Sequence, residues 1–351
     1  MNPYILAILL FGLGLGTTIT FASSHWLLAW MGLEMNTLAI IPLMAQHHHP
    51  RAVEATTKYF LTQAAAAATL LFASITNAWL TGQWEIQQIT HPLPTTMITL
   101  ALALKIGLAP LHAWLPEVLQ GTGTLLQALI LSTWQKLAPS PLNSSNPAFK
   151  TQTPFIILGL GIHRLLEAEE DKRKHNSVKF VAYSSIAHLG WMILVLQFSP
   201  SITLLTLLTY LIMTSSTFLV FKLNKSTNIN TLATSWAKAP ALTALTPLIL
   251  LSLGGLPPLT GFMPKWLILQ ELTKQGLAPT ATLAALSALL SLYFYLRLSY
   301  AMTLTISPNS LLGTTPWRLP STQLTYPLAT STTLTICLLP LTPAISALLT
   351  P

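Results

Sequence analysis

Charged residues and cysteine are scarce in this chain, and each scarcity excludes a class of protein. Only 7% of the 351 residues are charged, while 52% are hydrophobic, whereas soluble globular domains carry about 25% charged residues. Lys and Arg (17) outnumber Asp and Glu (9), but most of them are scattered singly near the ends of apolar runs, so the excess does not favour nucleic-acid binding. The single cysteine, Cys337, excludes an internal disulfide framework and an iron–sulfur cluster held by thiolates of this chain alone.

Long apolar runs recur from one end of the sequence to the other. Each is long enough to cross about 30 Å of hydrocarbon, so we predict an all-α integral membrane protein with about eleven transmembrane helices. The first run has no basic segment before it and no small-residue cleavage site after it, so we expect it to be retained as a span. No soluble domain is predicted between spans, and residues 1–351 are expected to form a single transmembrane domain. The predicted spans are residues 3–22, 26–45, 57–80, 95–119, 123–138, 153–166, 178–197, 201–222, 239–271, 276–302 and 324–348.

Proline interrupts two of these spans at corresponding places. The fourth span contains "KIGLAPLHAW" and the ninth contains "GGLPPLTGFMPKW", and Leu256 of the second motif stands 148 positions after Leu108 of the first. Broken helices at matching positions in two halves are typical of transporters, in which irregular backbone at membrane depth lines an ion path. We therefore predict two proline-broken helices in an inverted-repeat, antiporter-like bundle.

Three lysines stand beside prolines inside apolar runs. A lysine at the centre of a bilayer costs at least ~2.5 kcal/mol, so it usually faces a polar interior or a partner. Proline leaves a helix carbonyl without its amide donor, and such a carbonyl can hold water next to an ammonium group. The pairs are Lys105 before Pro110, which would free Ile106 O, Lys136 before Pro139, and Lys265 after Pro264. In the alternative interpretation, Lys136 and Lys265 lie near span ends and extend to the membrane surface.

Glu34, in "WMGLEMN", is the natural acidic partner for these lysines, because no other acid occurs in the first two predicted spans. Burial favours the neutral form of a lysine, whereas a nearby carboxylate favours the charged form. Glu34 and Lys105 would therefore titrate jointly, and moving either would change the proton occupancy of the other, as a proton pump requires. His112 and His188 are further candidates, although each could equally be a histidine satisfied by a local hydrogen bond.

Two other motifs are not assigned a ligand. The run "HHHP" at residues 47–50 offers neighbouring imidazoles that rarely supply a tetrahedral metal site, so a solvated loop is favoured. The run "GLGLG" at residues 12–16 lacks the strand and the acidic residue of a dinucleotide site, and Gly12 and Gly16 are predicted to contact a neighbouring helix instead. No metal or cofactor site is therefore predicted in this chain.

The motifs taken together identify a family. "WMGLEMN", "KIGLAPLHAWLPEV", "STWQKLAP", "AYSSIAHLGWM" and "GGLPPLTGFMPKW" resemble subunit 2 of mitochondrial NADH:ubiquinone oxidoreductase, respiratory complex I, and the vertebrate form looks most similar. Their order and spacing match that family over nearly the whole chain. The resemblance implies an antiporter-like, multi-pass subunit of the mitochondrial inner membrane, in contact with lipid and with other membrane-arm subunits of the complex.

The resemblance also implies roles for individual residues. In that family a glutamate and lysine pair, a central lysine and a distal lysine form a hydrated proton path. The corresponding residues are Glu34 with Lys105, then Lys136, then Lys265, with His188 as a relay and His112 as a weaker candidate. NAD, FMN, iron–sulfur clusters and ubiquinone are expected in partner subunits. This chain would be a non-redox subunit that converts the free energy of their reaction into proton translocation.

Two other functions share parts of this pattern. A stand-alone cation/proton antiporter subunit would have the same broken helices and lysines, but it would assemble without NADH-oxidising partners. A purely structural assembly subunit would tolerate neutralisation of all three lysines. Ionisable residues beside helix breaks argue against the structural role.

Residues 140–181 depart from the family pattern. Where the family has an apolar span and a glycine-rich turn, this sequence has "GIHRLLEAEEDKRKHNSVKF", an unusual concentration of acidic residues. We hypothesise that the reading frame is shifted in this segment. "EAEED" can be encoded by GAG GCT GAG GAG GAC. If a G precedes these codons and the frame starts one base earlier, the same bases read GGA GGC TGA GGA GGA. In the vertebrate mitochondrial code this encodes "GGWGG". A solvated charged loop and a salt-bridged helix are the alternatives.

Peptide mass spectrometry tests this hypothesis. Inner membranes are solubilised in detergent, the protein band that oxidises NADH is isolated, and the peptides of this chain in that band are identified. A shifted frame predicts a glycine-rich peptide in place of "LLEAEEDK". Recovery of "LLEAEEDK" itself would show that the charged segment is genuine. Separation of the chain from the NADH-oxidising band would favour the stand-alone antiporter.

Overall fold

The computed structural model of the chain consists of α-helices in two compact units. It describes residues 2–46, 49–89, 91–108, 110–122, 177–196, 198–224, 226, 231–232, 234–237, 240–304 and 325–349. The units comprise Met1–Ile162 and His163–Pro351. Within the described ranges no β-strand occurs, and one isolated bridge pairs His25 with Glu85. The all-α prediction is therefore confirmed.

Five helices of the first unit are described. They are α1 Pro3–Ala22, α2 Trp26–Met44, α3 Pro50–Thr81, α4 Pro92–Ile106 and α5 Trp114–Gly121. Proline occupies the first turn of α1, α3 and α4, where its missing amide hydrogen costs nothing because no helical acceptor precedes it. The side chains of Asn2 and His49 cap α1 and α3 by accepting hydrogen bonds from Tyr4 N and Arg51 N, each at 3.3 Å.

Glycines bring α1 and α2 into close contact. A Cβ atom added at Gly16 would lie 2.8 Å from Gly32 O, and one added at Gly32 would lie 2.8 Å from Gly16 O. Both positions therefore require the absence of a side chain. Gly12 also faces α2, since a Cβ atom added there would lie 3.8 Å from Ala39 Cβ. The predicted helix contact at Gly12 and Gly16 is confirmed, and it follows the small-xxx-small pattern of membrane helices.

Seven helices of the second unit are described. They are α6 Ser177–Leu196, α7 Pro200–Asn224, α8 Pro240–Gly254, α9 Phe262–Lys274, α10 Ala278–Leu304, α11 Thr325–Cys337 and α12 Thr342–Leu349. α7 is central, with α6, α8, α9 and α11 packed around it. Where α6, α9 and α10 meet, apolar side chains form a buried cluster of Trp191, Val195, Ile268, Leu272, Ala281 and Ala284. This cluster fixes α9 against its neighbours.

Among the described residues, five helices are long and apolar enough to cross a membrane: α1, α2, α3, α7 and α10. The bent pair Tyr326–Cys337 and Leu339–Ile345 would make a sixth span. α4, α8 and the part of α6 from Val181 onward are shorter apolar helices. The predicted spans 123–138 and 153–166 lie outside the described residues, so the total of about eleven stays a prediction.

The limits of two predicted spans are wrong. The third predicted span begins at residue 57, but α3 begins at Pro50, because the charged side chains in its first turns are exposed and do not prevent a helix there. The last predicted span, 324–348, is not one continuous helix, since its two parts are bent by 68° relative to each other. The bend lies next to Pro340, which has no amide hydrogen with which to continue the helix.

The fourth and ninth predicted spans are each broken into two helices, as predicted. α4 and α8 both contain 15 residues, and α8 begins and ends 148 positions after α4 begins and ends. α9 likewise begins 148 positions after α5 begins. The two breaks therefore occupy the same place in their respective halves of the sequence.

Candidate functional site

The first helix break lies between α4 and α5. α4 is followed by Gly107, whose φ is 80°, and Leu108 N donates to Ala103 O at 2.9 Å. Glycine ends helices in this way because it takes the left-handed conformation without the cost of a Cβ atom. α4 thus ends at Ile106 with a left-handed glycine after it, and Pro110, which has no amide hydrogen, cannot donate to Ile106 O to continue the helix.

Two carbonyl groups at the end of α4 are satisfied by side chains of other elements. Trp114 Nε1 donates to Leu104 O at 3.0 Å, and Gln63 Nε2 donates to Lys105 O at 3.3 Å. These bonds tie α4 to α5 and α3 and fix the backbone that carries Lys105. Sequence reasoning missed both donors, although a single amide side chain in the apolar stretch "LTQAAAAATL" was a detectable signal for Gln63.

Lys105 is almost completely buried, with 1% of its surface exposed. Its Nζ has no hydrogen-bond partner among the described residues, and none of their carboxylate oxygens lies within 4.0 Å. Glu34 nevertheless attracts the protonated amine through its charge, because Coulomb forces are weakly screened in a buried site. The two groups therefore interact electrostatically without forming a direct ion pair.

Glu34 is half-buried on α2, and its side chain is held by its own helix. Thr37 Oγ1 lies 2.8 Å from Glu34 Oε2 and 2.8 Å from Glu34 O, so its single hydroxyl proton is shared between the two oxygens. A hydrogen bond to a carboxylate is stronger than one between neutral groups, so it fixes the orientation of this side chain. Among the described residues, Glu34 is the charged group that acts on Lys105, and the two groups lie on different helices, α2 and α4.

The second helix break has the hydrogen-bond pattern of the first. α8 ends at Gly254, and Gly255 follows with a φ of 78°. Leu256 N donates to Leu251 O at 3.2 Å. These two residues stand 148 positions after Leu108 and Ala103, which form the corresponding bond at the first break. A left-handed glycine thus follows the last residue of this helix as well, and prolines that cannot continue the helix come shortly after it.

Lys265 is buried in this second break. Its Nζ donates to Gly254 O at 2.6 Å, and a Cβ atom added at Gly255 would lie 2.8 Å from the same Nζ. Gly255 therefore makes room for the lysine as well as ending α8. Lys265 does not extend to an exposed helix end, contrary to the alternative interpretation. The prediction that Pro264 loosens the helix is also wrong, because Pro264 lies in the first turn of α9, where proline is tolerated.

Thr260 anchors the loop of the second break to α11. Its Oγ1 donates to Thr335 O at 2.6 Å and also lies 3.1 Å from Leu334 O. These carbonyls belong to the last turn of α11, just before the bend near Pro340. Thr260 thus links the break beside Lys265 to a second irregular point of the same unit, a contact that the sequence pattern did not predict.

The two candidate histidines are half-buried, one in each unit. His112 lies in the turn before α5, where its carbonyl accepts a hydrogen bond from Leu115 N at 3.0 Å. His188 lies on α6, with its ring centroid 5.6 Å from that of Tyr210. Lys136 lies outside the described residues. The first unit thus holds Glu34, Lys105 and His112, and the second holds His188 and Lys265.

Two family models match consecutive parts of the chain. The model described as NADH:quinone oxidoreductase/Mrp antiporter, TM, matches residues 23–291. The model described as NADH dehydrogenase subunit 2 C-terminus matches residues 292–346. The chain is a multi-pass membrane protein with an antiporter-like fold.

Individual relatives agree with these models. NADH-ubiquinone oxidoreductase chain 2 of Tetraodon nigroviridis is 71% identical to this chain and that of Salmo salar is 66% identical, with at least 99% of both chains covered in each case. A chain of respiratory complex I from Thermus thermophilus has a TM-score of 0.86 at 26% identity, covering 99% of this chain and 80% of that one. A chain of the Mrp complex from Dietzia sp. shares the fold, with a TM-score of 0.80 at 15% identity over 95% of this chain and 74% of its own length. The chain therefore belongs to the family of NADH-ubiquinone oxidoreductase chain 2.

Proposed function

We propose that this chain is a membrane-arm subunit of a proton-translocating NADH:ubiquinone oxidoreductase, and that protons pass through it by way of Lys105 and Glu34. The observation that carries the proposal is the burial of Lys105, whose amine has no hydrogen-bond partner among the described residues. Burying such an amine costs free energy that an apolar residue of the same size would avoid. The names of the relatives supply the reaction to which the proton movement is coupled.

The elementary step is a change in the proton occupancy of Lys105. While the charge of Glu34 is near, the buried amine holds a proton. When the carboxylate moves away or is neutralised, burial favours the neutral amine and the proton leaves. Thr37 holds the Glu34 carboxylate on α2, and Gln63 holds the backbone of Lys105 on α4. A displacement of α2 relative to α4 therefore changes the distance between the carboxylate and the amine. When that distance increases, Lys105 releases its proton.

The later steps use residues assigned by resemblance to the family. The proton passes through His188 to Lys136 and leaves by way of Lys265, with His112 as a secondary acceptor near the first break. The hydrogen bond from Lys265 Nζ to Gly254 O supports this role for Lys265. The lysine is held at the broken end of α8, where a small movement of the backbone changes its surroundings.

Electron transfer, in this proposal, takes place in other subunits of the complex. NAD, FMN, the iron–sulfur clusters and ubiquinone bind to those partners, and this chain is a non-redox part of the enzyme in the mitochondrial inner membrane. Its single cysteine cannot ligate a cluster without partner residues. The whole chain, residues 1–351, acts as one antiporter-like domain among lipids and other membrane-arm subunits.

Substitution of Lys105 with methionine tests the proposal. Methionine has a similar length and suits a buried site, so the complex should assemble in normal amounts. Removal of a proton-transfer group typically lowers a rate by roughly 10²-fold or more, and we expect a loss of that order in NADH-driven proton translocation. The measurement is the rate of proton uptake by vesicles that contain a known amount of assembled enzyme.

Lys58→Met is the matched control in the same unit. Lys58 is exposed and forms ion pairs of 2.9 Å with Glu54 and 3.0 Å with Glu117, and exposed pairs contribute little. Its substitution should leave translocation unchanged. A Lys105→Met enzyme that assembles and translocates protons at the unsubstituted rate would contradict the proposal and favour a structural role for the chain.

A further inference from the structure

Side chains from two other helices hold the last carbonyl groups of α4, next to the amine-bearing residue. Trp114, the first residue of α5, donates from Nε1 to Leu104 O at 3.0 Å. Gln63, on α3, donates from Nε2 to Lys105 O at 3.3 Å. Both donor side chains are buried. The two bonds therefore act on the backbone of Lys105 itself and of the residue before it.

Leu104 O needs a donor from outside α4 because the helix does not supply one. In a continuous α-helix this carbonyl would accept from the amide four residues later, which is that of Leu108. Leu108 N instead donates to Ala103 O at 2.9 Å, because the chain turns through Gly107 in the left-handed conformation. Backbone groups at membrane depth require a partner within the protein, and Trp114 provides it here.

The indole ring of Trp114 is fixed by the residues around it. A Cβ atom added at Gly107 would lie 3.4 Å from Trp114 Cζ2, so the ring lies against the glycine that ends α4. The ring also packs against Tyr59 of α3, with centroids 6.0 Å apart and planes inclined at 57°. Tyr59 stands about one helical turn before Gln63 on α3. α3 therefore carries one of the two donors and supports the other.

In the second break, the residue that corresponds to Trp114 cannot make such a bond. Phe262 stands 148 positions after Trp114, and its ring has no N–H group to donate. The second break is closed by the backbone instead. Ser252 O accepts from Gly255 N at 3.0 Å, and a Cβ atom added at Gly261 would overlap the same carbonyl. The side-chain donors are thus a feature of the break that carries Lys105.

We propose that Trp114 and Gln63 are positioning residues for Lys105. This inference rests on the proposed function and names the contacts that regulate it. α3 packs on both α2 and α4, so the two hydrogen bonds fix the end of α4 relative to the helix that carries Glu34. They thereby set the separation at which Lys105 responds to the carboxylate.

The amine of Lys105 makes this dependence on the backbone strong. Its Nζ has no hydrogen-bond partner among the described residues, so the position of the amine follows that of the backbone that carries it. A movement of α5 or α3 that lengthens either bond would displace this backbone. The attraction between the amine and Glu34 would then change, and with it the proton occupancy of Lys105.

Trp114→Phe and Gln63→Met test the proposal in the assembled complex. Phenylalanine keeps an aromatic ring and methionine keeps the length of the side chain, while each removes one N–H donor. Either substitution alone should lower NADH-driven proton translocation per assembled enzyme several-fold, because Lys105 is misplaced. We expect Glu34→Gln to lower the rate ~10-fold in the otherwise unsubstituted enzyme, and at most ~3-fold when it is combined with either substitution.

Trp236→Phe is the matched control for the loss of an indole donor. Trp236 Nε1 donates to Met302 O at 2.8 Å, a bond of the same type between residues of the second unit. A bond that only stabilises the fold changes the amount of assembled complex, but it does not change the response to Glu34. Glu34→Gln should therefore keep its full ~10-fold effect in the Trp236→Phe background.

The effect of Glu34→Gln in the clamp variants, Trp114→Phe and Gln63→Met, decides the question. A full ~10-fold effect in either of them overturns the proposal, and if one variant does not assemble, the other decides. Loss of assembly in both would show that the bonds serve folding, and it would overturn the proposal as well.

The otherwise unsubstituted enzyme separates failure of this proposal from failure of the proposed function. If Glu34→Gln lowers translocation equally in that enzyme and in the clamp variants, only the positioning role is refuted. If Glu34→Gln has no effect even in that enzyme, the proton path through Glu34 and Lys105 is refuted, and no response is left for Trp114 and Gln63 to set.

Discussion

Replacing Gly261 with alanine is expected to prevent the chain from accumulating in assembled complexes. A Cβ atom at this position would overlap the carbonyl oxygen of Ser252, well inside the 3.0 Å below which Cβ contacts essentially do not occur. The φ of Gly261 is −66°, a value that alanine adopts freely, so the effect is steric. Overpacking a well-packed site costs typically 1–3 kcal/mol, occasionally more, and a collision with backbone belongs at the upper end.

The backbone around Ser252 leaves little room for relief. The same Ser252 carbonyl accepts the hydrogen bond from Gly255 N at 3.0 Å, so moving it away from a new side chain would break the turn that ends α8. That turn positions Lys265, whose amine is bonded to the neighbouring Gly254 O. Any Gly261→Ala enzyme that does assemble should therefore also be impaired in proton translocation.

Gly14→Ala is the control for the Gly261 substitution. A Cβ atom at Gly14 would have nothing within 4 Å, and alanine is the better helix former. The amount of assembled complex, measured in membranes of the two variants, should be normal for Gly14→Ala and strongly reduced for Gly261→Ala. Equal amounts of assembled complex for the two variants would show that the backbone of the second break can move to make room for a Cβ atom at Gly261.

Much of the fold follows from local features of the sequence. The first predicted span, 3–22, coincides with α1 because the run is uniformly apolar and proline sets its start. The start of α3 was predicted too late because a helix can carry Arg51, Glu54 and Lys58 where their side chains are exposed. The bend between α11 and α12 was missed because Pro340 is one of 25 prolines, and the sequence does not say which of them interrupt a helix.

The site was predictable only where a residue is unusual for its surroundings. Lys105 and Glu34 attract notice because charge is rare in apolar runs. Gln63 is an ordinary polar residue in a helix, and its role depends on a contact with a distant part of the chain. It bonds to the carbonyl of a residue 42 positions away, a relation that no local pattern contains.

Glu34→Gln and Lys105→Met are expected to be strongly non-additive in their effects on proton translocation. Glutamine can still accept the hydrogen bond from Thr37 Oγ1, 2.8 Å from the present carboxylate oxygen, so the substitution removes charge and preserves position. We expect Glu34→Gln alone to lower the rate of translocation ~10-fold, or about 1.4 kcal/mol. In the Lys105→Met background it should lower the rate no further, because the group that it regulates is gone.

This double-substitution cycle measures the coupling between the two groups directly. The expected coupling energy of about 1.4 kcal/mol lies in the range found for residues that interact. If instead the fold-reductions in rate of the two single substitutions multiply in the double variant, Glu34 and Lys105 act independently. Glu54 and Lys58 form the control pair. Their separation of 2.9 Å is that of a direct ion pair, but both side chains are exposed, so water screens their charges. If that shorter pair shows no coupling and the longer, buried one does, burial rather than proximity makes Lys105 responsive to Glu34.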